Sequence, residues 1–137
     1  MKLITRDTDY ALRALCVLGK KKNEVIAVSS LVRELKIPRP FLRKILQRLH
    51  RRGILRAQRG KDGGFQLAKP AEALSLLGLV RVFQKDFRLN ECNFKKKPFL
   101  RKDRCPLRRK IEEIEQGVFM RLQKTKVGSL LKEARDA

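Results

Sequence analysis

The chain is 137 residues long and 42% hydrophobic, and its 35 lysines and arginines against 14 acids give a formal charge of +21 at pH 7. Such a length holds one domain, or a small domain plus an oligomerisation arm. A surplus of that size opposes compaction unless a polyanion or counterions screen it, so nucleic acid is the first expected partner and an anionic membrane surface the second.

No run approaches the ~18 apolar residues of a membrane span, and the opening stretch lacks the apolar centre of a signal peptide. Three cysteines, Cys16, Cys92 and Cys105, are too few and too unevenly placed for a secreted disulfide scaffold. The expected setting is cytoplasmic, with no membrane association.

Thr5 or Asp7 can cap a first helix ending at Gly19, with Ala11, Leu12, Leu15 and Leu18 inward and Cys16 as a small buried hydrophobe. Ser29 or Ser30 can cap a second, short helix running to about Lys36, with Leu31, Val32 and Leu35 inward; Ile37-Pro38 breaks it. The next run, 39–51, predicts a third helix. Phe41, Leu42, Ile45, Leu46 and Leu49 form one apolar stripe, leaving Arg39, Arg43, Lys44, Gln47, Arg48 and Arg51 on the other side. Two helices joined so tightly predict a helix-turn-helix.

The polar side of the third helix holds long cations and one amide and no carboxylate, which suits an elongated polyanion, and a helix fits the major groove of duplex DNA. The early turns of such a helix meet base edges first, which favours Arg39, Pro40, Arg43 and Lys44 for base contact and puts Gln47, Arg48 and Arg51 near flanking phosphates. His50 on the same helix reads as a solvated or capping residue.

Gly53 ends that helix. Strands at 54–57 and 65–68 flank a tip, Gln58 to Gly64, whose Asp-Gly-Gly tolerates the positive φ of a hairpin. A basic hairpin directly after a helix-turn-helix is a wing, and Arg59 and Lys61 stand where it reaches phosphates or the minor groove.

Pro70 opens a further helix with Leu74, Leu77, Val80 and Phe83 at helical spacing. The segment 86–106 is aperiodic, crowded with lysine and arginine, and holds Cys92 and Cys105. From Leu107 a last long helix shows Leu107, Ile111, Ile114, Val118 and Leu122 in one stripe, with Glu112, Glu113 and Glu115 as surface charges pairing with Arg108, Arg109 or Lys110. Too little chain remains to cover that stripe, so a second subunit is its expected cover.

The expected fold is mainly α with a small β-hairpin wing. A winged helix-turn-helix DNA-binding domain occupies 1–85, a cysteine-containing basic loop 86–106, and a dimerisation helix with a C-terminal tail 107–137. No nucleophile–base pair, phosphate-cradling loop or dinucleotide fingerprint is present, and an enzyme is not expected.

These residues together resemble the Rrf-type winged-helix family of bacterial transcription regulators. The likeness runs from Thr8-Asp9-Tyr10-Ala11-Leu12-Arg13 through Ile54-Leu55 and Arg59-Gly60-Lys61-Asp62-Gly63-Gly64-Phe65-Gln66-Leu67-Ala68, and resumes at Cys92, at Cys105-Pro106-Leu107 and in the Thr125…Leu130 tail. The resemblance implies a homodimeric regulator, usually a repressor, whose long C-terminal helices cross at the interface. It also implies, for many members, an iron–sulfur cluster held by three loop cysteines and a fourth ligand from elsewhere. Cys92 and Cys105 match the first and last cysteines and Asp9 the carboxylate ligand. Lys97, Pro98 and Phe99 stand where the middle cysteine falls.

Three states are open for Cys92 and Cys105: a cluster completed by Asp9 and another donor, a thiol–disulfide pair with thiolates favoured by the surrounding cations, or no sensing role. The expected function is a homodimeric, sequence-specific regulator of transcription on a pseudo-palindromic operator, with a redox, nitric oxide or iron–sulfur signal entering at that loop. The alternative is an iron–sulfur or thiol redox protein docking acidic partners through its basic surface.

Overall fold

In the computed structural model, residues 2–85, 87, 88 and 105–136 are described. Helix α1 spans Arg6–Lys20, α2 Val28–Leu35 and α3 Arg39–Arg51. Strands β1, Leu55–Gln58, and β2, Gly64–Leu67, follow; then come a 3-10 turn at Ala71–Ala73 and helices α4, Leu76–Phe83, α5, Pro106–Lys124, and α6, Val127–Asp136.

Thr5 caps α1 by accepting from the Thr8 N–H. The helix continues through Gly19 to Lys20 rather than stopping at the glycine. Gly19 is buried, and a Cβ there would stand 2.9 Å from Leu131 Cδ1, so the missing side chain serves helix packing and not termination. Helix α2 begins before the two serines. Ile26 is locked in a bridge to Phe65, and Ala27 beyond it accepts from the Ser30 and Leu31 N–H groups without a side-chain cap. Lys36, left-handed at φ 56°, closes α2 through its N–H to the Val32 carbonyl.

Leu42, Ile45, Leu46 and Leu49 of α3 are buried as the stripe requires, but Phe41 is 45% exposed. Its ring is instead covered by the Arg6 guanidinium, 5.3 Å from the centroid. Gly53, at φ +74°, lets the chain leave α3.

The hairpin is antiparallel, with Leu55 opposite Leu67 and Gln58 opposite Gly64. Ile26 adds a rung from a third segment of chain: its N–H and carbonyl both pair with Phe65 at 2.9 Å. Gly64 lies against the Ile26 carbonyl so closely that any Cβ there would collide with it.

Helix α4 starts later than Pro70. Pro70 opens only the 3-10 turn, and the helix is capped by Ser75 Oγ, which accepts from the Gly78 N–H at 3.0 Å. The segment expected as a tail forms a helix that packs into the core. Val127 and Leu131 of α6 are buried in the same core as Leu15, Leu18 and Leu79, and Val127 N–H donates to the Leu74 carbonyl at 2.8 Å while Leu76 N–H donates to that of Thr125. Helix α6 thus shares one core with α1 and α4.

Only Glu115 and Leu122 are buried on α5. Leu107 is 67% and Ile114 58% exposed, whereas Leu122 is 8% exposed and packs within its own chain. The five-residue apolar stripe thus divides, because a 3.6-residue period carries Leu122 round toward the inner face shared with Glu115. Glu115 is no surface charge either: it is buried and pairs with Arg88 at 3.5 Å, while the Phe87 ring meets Phe119 at a tilt, centroids 5.4 Å apart. Arg108–Glu112 and Lys110–Glu113 are exposed pairs as expected. Among the described residues no helix is long and apolar enough to cross a membrane.

Candidate nucleic-acid interface

Because α3 turns its four buried residues inward, its remaining side chains are displayed together. Arg39, Pro40, Arg43, Lys44, Gln47, Arg48 and Arg51 are all exposed. Among the described residues none of these cations pairs with a carboxylate; the ion pairs found lie at Asp9–Arg13, Arg88–Glu115, Arg108–Glu112 and Lys110–Glu113. Charges left unpaired on one face keep their full hydration and their capacity for phosphate.

A cleft of about 340 Å³ runs beside this face, lined by Lys44, Gln47, Arg48 and Arg51 of α3, by Arg6 and Asp7 at the start of α1, and by Phe41 and Phe83. Arg48 lies over the Phe83 ring at 5.7 Å and Arg6 over Phe41, so each guanidinium is steered by an aromatic plane while its N–H edges remain available. Asp7 belongs to the first turn of α1, where the helix dipole favours an acid. Arg6 is the residue that sequence reasoning passed over: nothing in its spacing links it to α3, and only the tertiary approach of α1 to Phe41 does.

The start of α1 is held in place by Gln84 at the end of α4. Gln84 Oε1 accepts from the buried Thr8 hydroxyl at 3.1 Å and from Thr5 N–H at 3.3 Å, and its Nε2 donates to the Leu3 carbonyl. The wing tip is a turn closed by the Gly63 N–H to the Gly60 carbonyl at 3.0 Å, with Arg59 and Lys61 exposed on it. At the hairpin base, His50 Nδ1 lies 3.1 Å from the Leu55 carbonyl and its ring meets Phe65 edge-on. His50 therefore ties the recognition helix to the wing.

A winged helix-turn-helix with this basic face is matched by a family model over residues 4–133, described as Rrf2, iron-dependent transcriptional regulator. The chain belongs to the Rrf2 family. An HTH-type transcriptional regulator of Aquifex aeolicus is 32% identical over 83 residues, covering 61% of this chain and 58% of that protein. The HTH-type regulator NsrR of Oceanobacillus iheyensis is 36% identical over 86 residues, 62% of this chain and 58% of its own. The chain thus spans under two thirds of the length of these curated relatives. In fold it is similar to CymR, the global cysteine regulator of B. subtilis, with a TM-score of 0.78 and 21% identity over 97% of this chain and 98% of that one.

Of the donors that the Rrf-type resemblance implies for an iron–sulfur cluster, the described residues hold Cys105 and Asp9. A cluster takes four protein ligands, and the sequence lacks the middle thiolate. Asp9 is committed to Arg13 at 3.1 Å on the surface of α1. Cys105 is half-buried at the N-cap position of α5, and Cys92 lies outside the described residues. Among the described residues no group of three or more His, Cys, Asp or Glu is placed to hold a metal. Cys16 is half-buried in α1; burial pushes its thiol pKa up, and nearby Lys20 offsets this in part.

Proposed function

We propose that the protein is a homodimeric, sequence-specific DNA-binding regulator acting as a repressor. Each subunit lays α3 in a major groove, reads bases with Arg39, Pro40, Arg43 and Lys44, and holds phosphates with Gln47, Arg48, Arg51 and Arg6. Arg59 and Lys61 of the wing follow the neighbouring minor groove. The single observation carrying this reading is the acid-free face of α3, whose cations have no carboxylate partner among the described residues, beside the Arg6 cleft. Dimerisation is supported by the outer stripe of α5, Leu107, Ile111, Ile114 and Val118, which its own chain leaves half-buried or exposed. Repression follows from the family resemblance.

Selection from random-sequence duplexes tests the reading. A dimer with two equal recognition helices enriches a pseudo-palindrome with half-sites about 10 bp, or a multiple, apart. A product without symmetry, or no enrichment at all, overturns it. The regulatory part, a signal entering near Cys92 and Cys105, has its own test: Cys92→Ser with Cys105→Ser abolishes any response of operator affinity to oxidant, nitric oxide or iron limitation.

A further inference from the structure

A second concavity lies away from the recognition face, where α1, the α3–β1 junction, α4 and α6 meet. It measures about 240 Å³. Leu15, Val82 and Val127, all buried, form its apolar floor, and Leu74 lines it from the strand-like link before α4. Among the described residues, the only charged ones lining it are Arg52 and Lys69. Both are exposed, and neither pairs with a carboxylate among the described residues.

A hydrocarbon floor under a purely cationic mouth selects one chemistry. Apolar surface in the floor favours an alkyl or small ring. A guanidinium matches a carboxylate by two parallel hydrogen bonds, and an ammonium adds a point charge. The volume lies below the ~300–1,000 Å³ of clefts for drug-sized ligands, which limits the occupant to a short chain. We propose that this cavity is a binding site for a small apolar carboxylic acid, its carboxylate on Arg52 and Lys69 and its tail against Leu15, Val82 and Val127. The occupant touches the joint through which α3 passes into the wing, at Arg52 and Ile54, and the strap in which Val127 N–H donates to the Leu74 carbonyl. The site stands on this geometry alone and does not depend on what α3 binds.

Sodium hexanoate is the probe, titrated into the full chain at fixed ionic strength and followed by amide NMR and thermal unfolding. Hexanoate is expected to shift the Ile54, Leu74 and Val127 amides saturably and to raise Tm, while hexylammonium does neither. Arg52→Gln with Lys69→Gln is expected to weaken hexanoate at least tenfold without lowering the Tm of the free protein, since both side chains are exposed. Arg43→Gln with Lys44→Gln, which removes as much charge from α3, is expected to leave binding unchanged. Equal binding of hexylammonium, undiminished binding by the Arg52/Lys69 variant, or shifts confined to α3 and the wing tip would overturn the proposal.

Discussion

Arg43 and Lys61 carry the same charge, yet the backbone assigns them different tasks. Arg43 stands in the second turn of α3, held by Leu42 and Ile45 buried on either side of it, and a guanidinium so fixed can grip guanine O6 and N7 together. Lys61 rides on an exposed turn at the hairpin tip, a point charge on a flexible stem. Arg43→Ala should therefore cost ~1–3 kcal/mol at one base position and relax preference there. Lys61→Ala should weaken all duplexes about alike and flatten the salt slope by ~1. Competition of each variant between selected and scrambled duplexes separates the two. Cys16 offers a second residue-scale check. With its thiol pKa raised by burial, the native protein keeps it protonated at neutral pH, so iodoacetamide should modify it slowly until urea unfolds the chain. The sign follows for stability: a thiol whose folded pKa lies above the unfolded one contributes stability that is lost as pH climbs through the unfolded and then the folded value.

At the scale of elements, the wing depends on a contact remote in sequence. Its two strands are short, and a lone two-stranded hairpin is marginal in water; the Ile26 rung supplies a third. Gly64 permits that rung because no Cβ fits against the Ile26 carbonyl. Gly64→Ala should part Ile26 from Phe65 and cost about 2–3 kcal/mol by denaturant unfolding, and the loosened wing should weaken DNA binding further. Helix α5 makes the opposite case, an element whose own chain leaves it half-finished. Ile114 is 58% exposed in a row with Leu107 and Val118, and burying such a side chain contributes ~1.5–3 kcal/mol. Ile114→Glu places a charge in that row while disturbing no buried contact. Light scattering should show the variant as a monomer with its helical circular dichroism retained.

For the whole molecule, local pattern and long-range packing divide what the sequence revealed. Helix α3, the hairpin and the apolar period of α5 were legible because each is written within a few turns of chain. The rung from Ile26, the Arg6–Phe41 contact and the burial of Glu115 were not, since each joins residues far apart and no short-range spacing encodes them. The return of α6 to the core escaped for the same reason: Val127 and Leu131 read as a weak tail until α1 presents Gly19 to receive Leu131.

Charge distribution is the remaining property of the whole, and it decides whether +21 acts as a cloud or as a face. Helix α1 is 15 residues long, which at 1.5 Å per residue sets Lys20 and its neighbours Lys21 and Lys22 about 20 Å from Arg6 at the recognition cleft. The chain leading from them into Ile26 runs antiparallel to β2, toward the wing tip, so the lysines that precede it lie on the side of the hairpin base. At 0.1 M salt the screening length is ~10 Å, so those three lysines act on a groove-bound duplex weakly. Lys20→Gln, Lys21→Gln and Lys22→Gln together should leave the slope of log Kd against log salt nearly unchanged. Arg6→Gln, Arg48→Gln and Arg51→Gln, removing the same charge from the groups placed on phosphates, should flatten it by ~0.9 for each phosphate no longer neutralised. Equal flattening by both triple variants would mean that the charge acts as a diffuse cloud and that no one face is responsible.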